Sequence, residues 1–158
     1  MRAIACERYG RPKVLKIKEV EKPAPKENEV LIKVYAATVT KYDCWQRSST
    51  APPGFWLPSR LGSGLMKPKQ AIFGTDLSGV IEAVGKDVKR LKVGDHVFGF
   101  SSDLGTHAEY ACLPEKGVGI KPTNASFEEA AAVVQGALTA LHFLRLGEIQ
   151  SGQKILIF

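Results

Sequence analysis

The side chains able to do chemistry are few and scattered. Three histidines, His96, His107 and His142, and three cysteines, Cys6, Cys44 and Cys112, are the nitrogen and sulfur metal ligands available in 158 residues. His96 and His107 are eleven residues apart on what read as different strands, and His142 falls on an apolar helical stretch. None has the close spacing of a metal cluster. An odd number of widely separated cysteines argues against a disulfide framework and for a reducing, cytoplasmic setting. No Gly-x-Ser-x-Gly elbow or Ser/His/Asp arrangement supports hydrolysis. No Gly-x-Gly-x-x-Gly turn is present to cradle a pyrophosphate. What remains is oxygen chemistry: Thr40, Tyr42 and Asp43 in one short run, Thr75 and Asp76 in another.

The second run opens the stretch that organises the chain, IFGTDLSGVIEAVGKDVKRLKVGDHVFG from Ile72 to Gly99. Leu77 to Val84 is β-branched and bounded by glycines, which predicts a strand entering at Gly74, bulging at Gly79 and ending at Gly85. Val93-Gly94-Asp95 reads as a tight turn with positive φ at Gly94, and His96 to Phe100 as the next strand. Upstream, Met1–Tyr9, Val14–Val20 and Val30–Val39 read as strands, the second half-exposed because apolar residues alternate with Lys16, Lys18 and Glu19. Thr40 to Arg47 lacks that alternation and predicts a short helical turn capped by Thr40. Residues 48–69 read as a long Pro/Gly/Ser-rich loop. Its apolar side chains suit either a satellite cluster against the barrel or a lid over a substrate pocket. Downstream, Leu104–Leu113 and Val118–Lys121 read as strands. Ser126-Phe-Glu-Glu129 is a capping box that opens a helix running to Leu146, as one piece or two. Lys154 to Phe158, KILIF, reads as a buried-type strand.

Hydrophobic residues make up 44% of the chain, enough for a core. No apolar run approaches the ~20 residues that cross a bilayer, and MRAIACERYG carries no secretory pattern. The net charge is +6 and the pI about 9.3. The lysines are scattered, which suits a solvated surface as well as an anionic partner, and no aromatics interleave with them to stack bases.

GTDLSGVIEAVGKDVKRLKVGDHVFG resembles the G-(H/x)-(E/D)-x-x-G-x-(V/I)-x-x-V-G…V-G-D-x-V signature of medium-chain dehydrogenase/reductases. These are the alcohol dehydrogenase and quinone oxidoreductase relatives whose amino-terminal half is a GroES-like barrel. The opening MRAIACERYGRPKVLKIKEVEKPAPKENEVLIKVYAATV, the LGTHAEYACL strand and the Glu128-Glu129-Ala-Ala-Ala helix start are similar to the same family. The resemblance implies a mainly β fold, a GroES-like partly open β-barrel with short helices over residues 1–125. A linking helix and the first strand of an otherwise absent Rossmann domain would occupy 126–158, with a helix break near Gly136.

Where the zinc-dependent branch places its ligands, this chain has Thr40, Thr75 and Gln135, none able to replace a thiolate or imidazole. The resemblance is therefore to the zinc-free branch. It implies hydroxyl donors at Thr40, Tyr42 and Thr75, with Tyr42 either a proton donor or a rim tyrosine, and a structural carboxylate at Asp76. It also implies an apolar wall at Trp45, and Gln135 and Thr139 approaching the nicotinamide of NADP or NAD, while the lid reading of residues 48–69 makes Phe55 and Trp56 substrate contacts. The full enzyme would transfer hydride to a small carbonyl or quinone, as a homodimer if it oligomerises, with no zinc, nucleic acid or membrane partner. A chain lacking the cofactor half would be inactive alone. The other reading is a stand-alone GroES-like interaction module that uses residues 48–69 as its contact surface.

Overall fold

A computed structural model describes residues 1–50, 54 and 56–156. The framework is a five-stranded antiparallel sheet built from β3 (Glu29–Ala37), β4 (Asp76–Val84), β5 (His96–Phe100), β6 (Tyr110–Pro114) and β7 (Val118–Ile120), in spatial order β6-β3-β4-β5-β7. A hairpin of β1 (Arg2–Cys6) and β2 (Leu15–Glu19) forms a second, two-stranded sheet. Single bridges from Ala3 to Ala108 and from Ala5 to Ile72 tie it to the segments leading into β6 and β4, and the sheets curl into the expected partly open barrel. Val30, Ile32, Leu77, Ile81, Val97 and Leu113 fill its interior at 0–1% exposure, each contributing about 1.5–3 kcal/mol by burial.

Three helices sit on this frame: α1 (Lys41–Ser48), α2 (Trp56–Ser63) and α3 (Phe127–Leu146). Helix α1 follows β3 directly. Its amino end closes on Asp43, whose Oδ2 accepts from both the backbone N–H (2.7 Å) and the hydroxyl (2.8 Å) of Thr40. Helix α3 starts at the predicted box: Ser126 Oγ accepts from the Glu129 N–H at 3.1 Å and Glu129 Oε2 from the Ser126 N–H at 2.8 Å. Only its first turns pack on the sheet, burying Ala130, Ala131 and Val134, with the Ser78 hydroxyl donating to the Phe127 carbonyl. Beyond them Leu138, Leu141, Phe143, Leu144 and Leu146 are 44–66% exposed.

Several details depart from the sequence reading. Helix α3 is continuous through Gly136, where the ~1 kcal/mol cost of a helical glycine is not enough to break it. The irregularity expected at Gly79 is there, but its surplus residue sits on the facing strand. Register shifts between Leu31 and Ile32 and between Val34 and Ala36 leave Glu82 of β4 and Tyr35 of β3 as the extra residues. Gly79 itself permits a close approach, since a Cβ there would fall 2.0 Å from the Lys33 carbonyl. Strand β6 begins only at Tyr110, because Leu104 and Gly105 adopt positive φ and turn the chain before it. The apolar Ile17 of β2 is 75% exposed rather than facing a core.

Residues 48–69 are not all loop, for α2 forms there with Pro58 in its first turn, where a missing N–H costs little. Nor are its apolar side chains a tucked cluster: Trp56, Leu57, Leu61, Leu65 and Met66 are 52–89% exposed. Tyr9 and Arg60 tether the segment instead. The Tyr9 hydroxyl lies 2.8 Å from the Gly64 carbonyl and the Arg60 guanidinium 4.1 Å above the Tyr9 ring. Lys154–Leu156 form no strand, and Ile155 and Leu156 are 52% and 83% exposed. A buried parallel-type strand needs neighbours on both sides, and none flanks it among the described residues. Ile157 and Phe158 lie outside them.

Candidate active site

The end of the sheet where β3 runs into α1 and the chain enters β4 gathers the oxygen-bearing side chains. Thr38, just past β3, donates from its hydroxyl to Asp76 Oδ2 at 2.8 Å. His107 Nε2 meets the Thr38 carbonyl at 2.8 Å, and because a carbonyl only accepts, that nitrogen carries the hydrogen. Gly74, at φ +93°, lets the chain pass so closely that a Cβ there would lie 2.3 Å from Thr106 Oγ1 and 2.5 Å from the His107 ring. Thr75, Asp76 and Thr106 are 3%, 1% and 0% exposed.

Beside this cluster a cleft of about 390 Å³ opens between α1, the end of α2 and the turns before β4 and β6, lined by Tyr9, Tyr42, Gln46, Lys69, Phe73 and Asp103. Tyr42, 41% exposed, has a defined polarity. Gln46, one turn further along α1, donates from Nε2 to the Tyr42 oxygen at 2.9 Å. With a lone pair occupied in this way, the phenolic hydrogen is left free to donate to an oxygen held in the cleft.

The other residues expected to act are placed differently. Thr40 spends its hydroxyl hydrogen on Asp43, so only its lone pairs remain. Thr75 is buried and does not line the cleft. Trp45 and Trp56, each 52% exposed, are not among its walls, and Phe55 lies outside the described residues. Gln135 and Thr139 project from the exposed length of α3, one turn apart. Zinc does not fit. The three relevant positions offer two hydroxyls and an amide, and no group of three or more His, Cys, Asp or Glu side chains converges among the described residues.

Thr38, Thr106 and His107 were not singled out by the sequence for this site. The signal for His107 was present only in retrospect, as the histidine two residues after the Gly105 turn. Among the described residues, no helix is long and apolar enough to cross a membrane.

A profile for the alcohol dehydrogenase GroES-like domain matches residues 26–141. The chain is 36% identical over 160 residues to a quinone oxidoreductase of Sus scrofa, covering 99% of this chain and 45% of that protein. It is 35% identical over 168 residues to a 2-methylene-furan-3-one reductase of Solanum lycopersicum, covering 99% and 40%. Among solved structures, the quinone oxidoreductase from Coxiella burnetii superposes with a TM-score of 0.81 at 32% identity, over 96% of this chain and 46% of that chain. The Escherichia coli quinone oxidoreductase complexed with NADPH does so with a TM-score of 0.76 at 30% identity, over 92% and 40%. The chain spans less than half the length of these relatives.

Proposed function

Because the chain belongs to the alcohol dehydrogenase GroES-like domain family, on the quinone oxidoreductase branch of the medium-chain dehydrogenase/reductases, we propose that it is the substrate-holding part of an NAD(P)H-dependent oxidoreductase acting on a quinone, enone or other carbonyl. The observation that carries this reading is the Tyr42 hydroxyl at the cleft, its oxygen occupied by Gln46 and its hydrogen free. A donor of this kind polarises a carbonyl oxygen as hydride arrives at carbon, the task a zinc ion performs in the metal-dependent branch.

When bound, the nicotinamide supplies the hydride. In this scheme Gln135 and Thr139 on the open length of α3 face it. Trp45 and Trp56 border the substrate from outside the cleft, and Phe55 is a further substrate contact in this reading. Thr40 and Thr75 act behind Tyr42, Thr40 by fixing Asp43 at the start of the helix that carries the tyrosine. Residues 1–125 form the substrate domain, and 126–158 lead into the nucleotide-binding domain. The whole enzyme is proposed to be zinc-independent, cytoplasmic and dimeric, and residues 1–158 inactive alone.

The test compares the 158-residue chain with one extended along the reading frame that follows. NADPH titration and quinone-dependent NADPH oxidation should succeed only with the longer chain. A longer chain that binds no NADPH refutes the proposal and favours the interaction module.

A further inference from the structure

Three buried oxygen atoms at this end of the sheet have no hydrogen-bond partner among the described residues. Asp76 Oδ1, Thr75 Oγ1 and Asp43 Oδ1 each lack a hydrogen-bond partner, on residues 1%, 3% and 6% exposed. Among the described residues, Asp76 receives a single side-chain hydrogen bond, from Thr38, and has no lysine or arginine partner. An ionised carboxylate so buried and unpaired is among the most costly arrangements a fold can hold. Asp43 differs, since its Oδ2 accepts two hydrogens from Thr40 at the amino end of α1, where the helix dipole favours negative charge.

We propose that Asp76 is a neutral carboxylic acid in the folded protein, with the hydrogen on Oδ1, since Oδ2 is the oxygen that accepts from Thr38. A neutral acid avoids that cost while Oδ2 still accepts from Thr38, which ties the segment leading into α1 to β4 and makes Asp76 a positioning residue for the helix that bears Tyr42. The groups facing Asp76 agree. They are Asp43 from α1, the Thr38 hydroxyl from the end of β3, His107 held at the Thr38 carbonyl, and Phe100, its register partner on β5. Burial, and then the charge of Asp43, raise the Asp76 carboxyl above the ordinary aspartate value, against the pull of the Thr38 and Thr75 hydroxyls.

The protonation does not depend on the reading of Tyr42 as a donor, and its test needs no cofactor. Infrared spectra of the 158-residue chain labelled with carboxyl-¹³C aspartate, taken at about pH 5 where free aspartate is ionised, should contain the carbonyl stretch of a protonated acid. The band should vanish in Asp76→Asn and survive in Asp43→Asn. Thr38→Val should shift it towards a non-hydrogen-bonded acid, and Thr38→Ser should restore it. In the wild-type chain, which requires no variant to fold, it should fade as the pH is raised. No acid band at pH 5, or one that persists in Asp76→Asn, overturns the proposal. If the band behaves as expected but Tyr42→Phe leaves quinone reduction intact in the extended enzyme, only the catalytic reading fails.

Discussion

Glycine 74 is the position at which the site can be disturbed most specifically. Substitution by alanine incurs two separable penalties. The first is the backbone: φ is +93°, and a side chain there costs about 1–2 kcal/mol. The second is crowding, because the new Cβ would sit 2.3 Å from Thr106 Oγ1 and 2.5 Å from His107 Cδ2. His107 must swing away, which gives up its bond to the Thr38 carbonyl and disturbs packing at a buried position, together about 2 kcal/mol. Gly94 provides the control, with φ +90° and no atom within 4 Å of an added Cβ. Gly94→Ala should therefore cost the backbone penalty alone, about 1–2 kcal/mol, and Gly74→Ala about 3–4 kcal/mol. Urea unfolding of both variants, with m unchanged, measures the difference. Losses equal within about 0.5 kcal/mol would show that the Gly74–Thr106–His107 contact does not govern this end of the sheet.

Other consequences are equally direct. Tyr42→Phe in the extended enzyme should lower quinone reduction about a hundredfold, as loss of one preorganised donor does, while stability changes by under about 0.5 kcal/mol at so exposed a position. The Arg2 backbone N–H, and then its guanidinium, hold the Glu109 carboxyl below the usual range. The pair's stabilisation is therefore present above the ordinary glutamate value and lost as the pH falls through the depressed one. Urea midpoints of wild type and Glu109→Gln should differ at pH 6, converge in acid and approach each other in high salt. A gap independent of pH would refute the assignment. Cys44 is exposed, Cys6 is buried, and burial with the nearby Glu29 charge pushes the Cys112 thiol up to about 11. Iodoacetamide at pH 8 should therefore label Cys44 first, and peptide mapping should lose that fast site in Cys44→Ser.

The legible parts of the molecule were those in which local chemistry and tertiary packing agree. The Ser126 box, the Thr40 cap, the Gly94 turn and the strands from Glu29 to Phe100 follow from periodicity and turn residues, and the structure has them. The family signature was specific enough to identify a GroES-like barrel. Composition misled where tertiary context rules. Proline and glycine between Ser48 and Lys69 concealed helix α2, which Tyr9, far off in sequence, holds in place through Arg60 and the Gly64 carbonyl. Thr38 and His107 act through contacts with partners 38 and 69 residues away, which no local pattern encodes. Thr75 was expected as a donor from its position in the family pattern, but burial is a property of the folded whole, and no hydroxyl declares it in sequence.

The displaced pairing in β3 has a last implication. Tyr35 is the surplus residue that carries Ala37 opposite Leu77, so the next position, Thr38, reaches Asp76. Were Tyr35 to pair in the ladder instead, the two strands could still zip together, yet Ala37 would slide opposite Asp76 and present a methyl group to a carboxyl group that takes its hydrogen bond from Thr38. The length of this strand is thus as constrained as its composition: one residue inserted between the bulge and Thr38 should be tolerated by the barrel and break the Thr38–Asp76 bond.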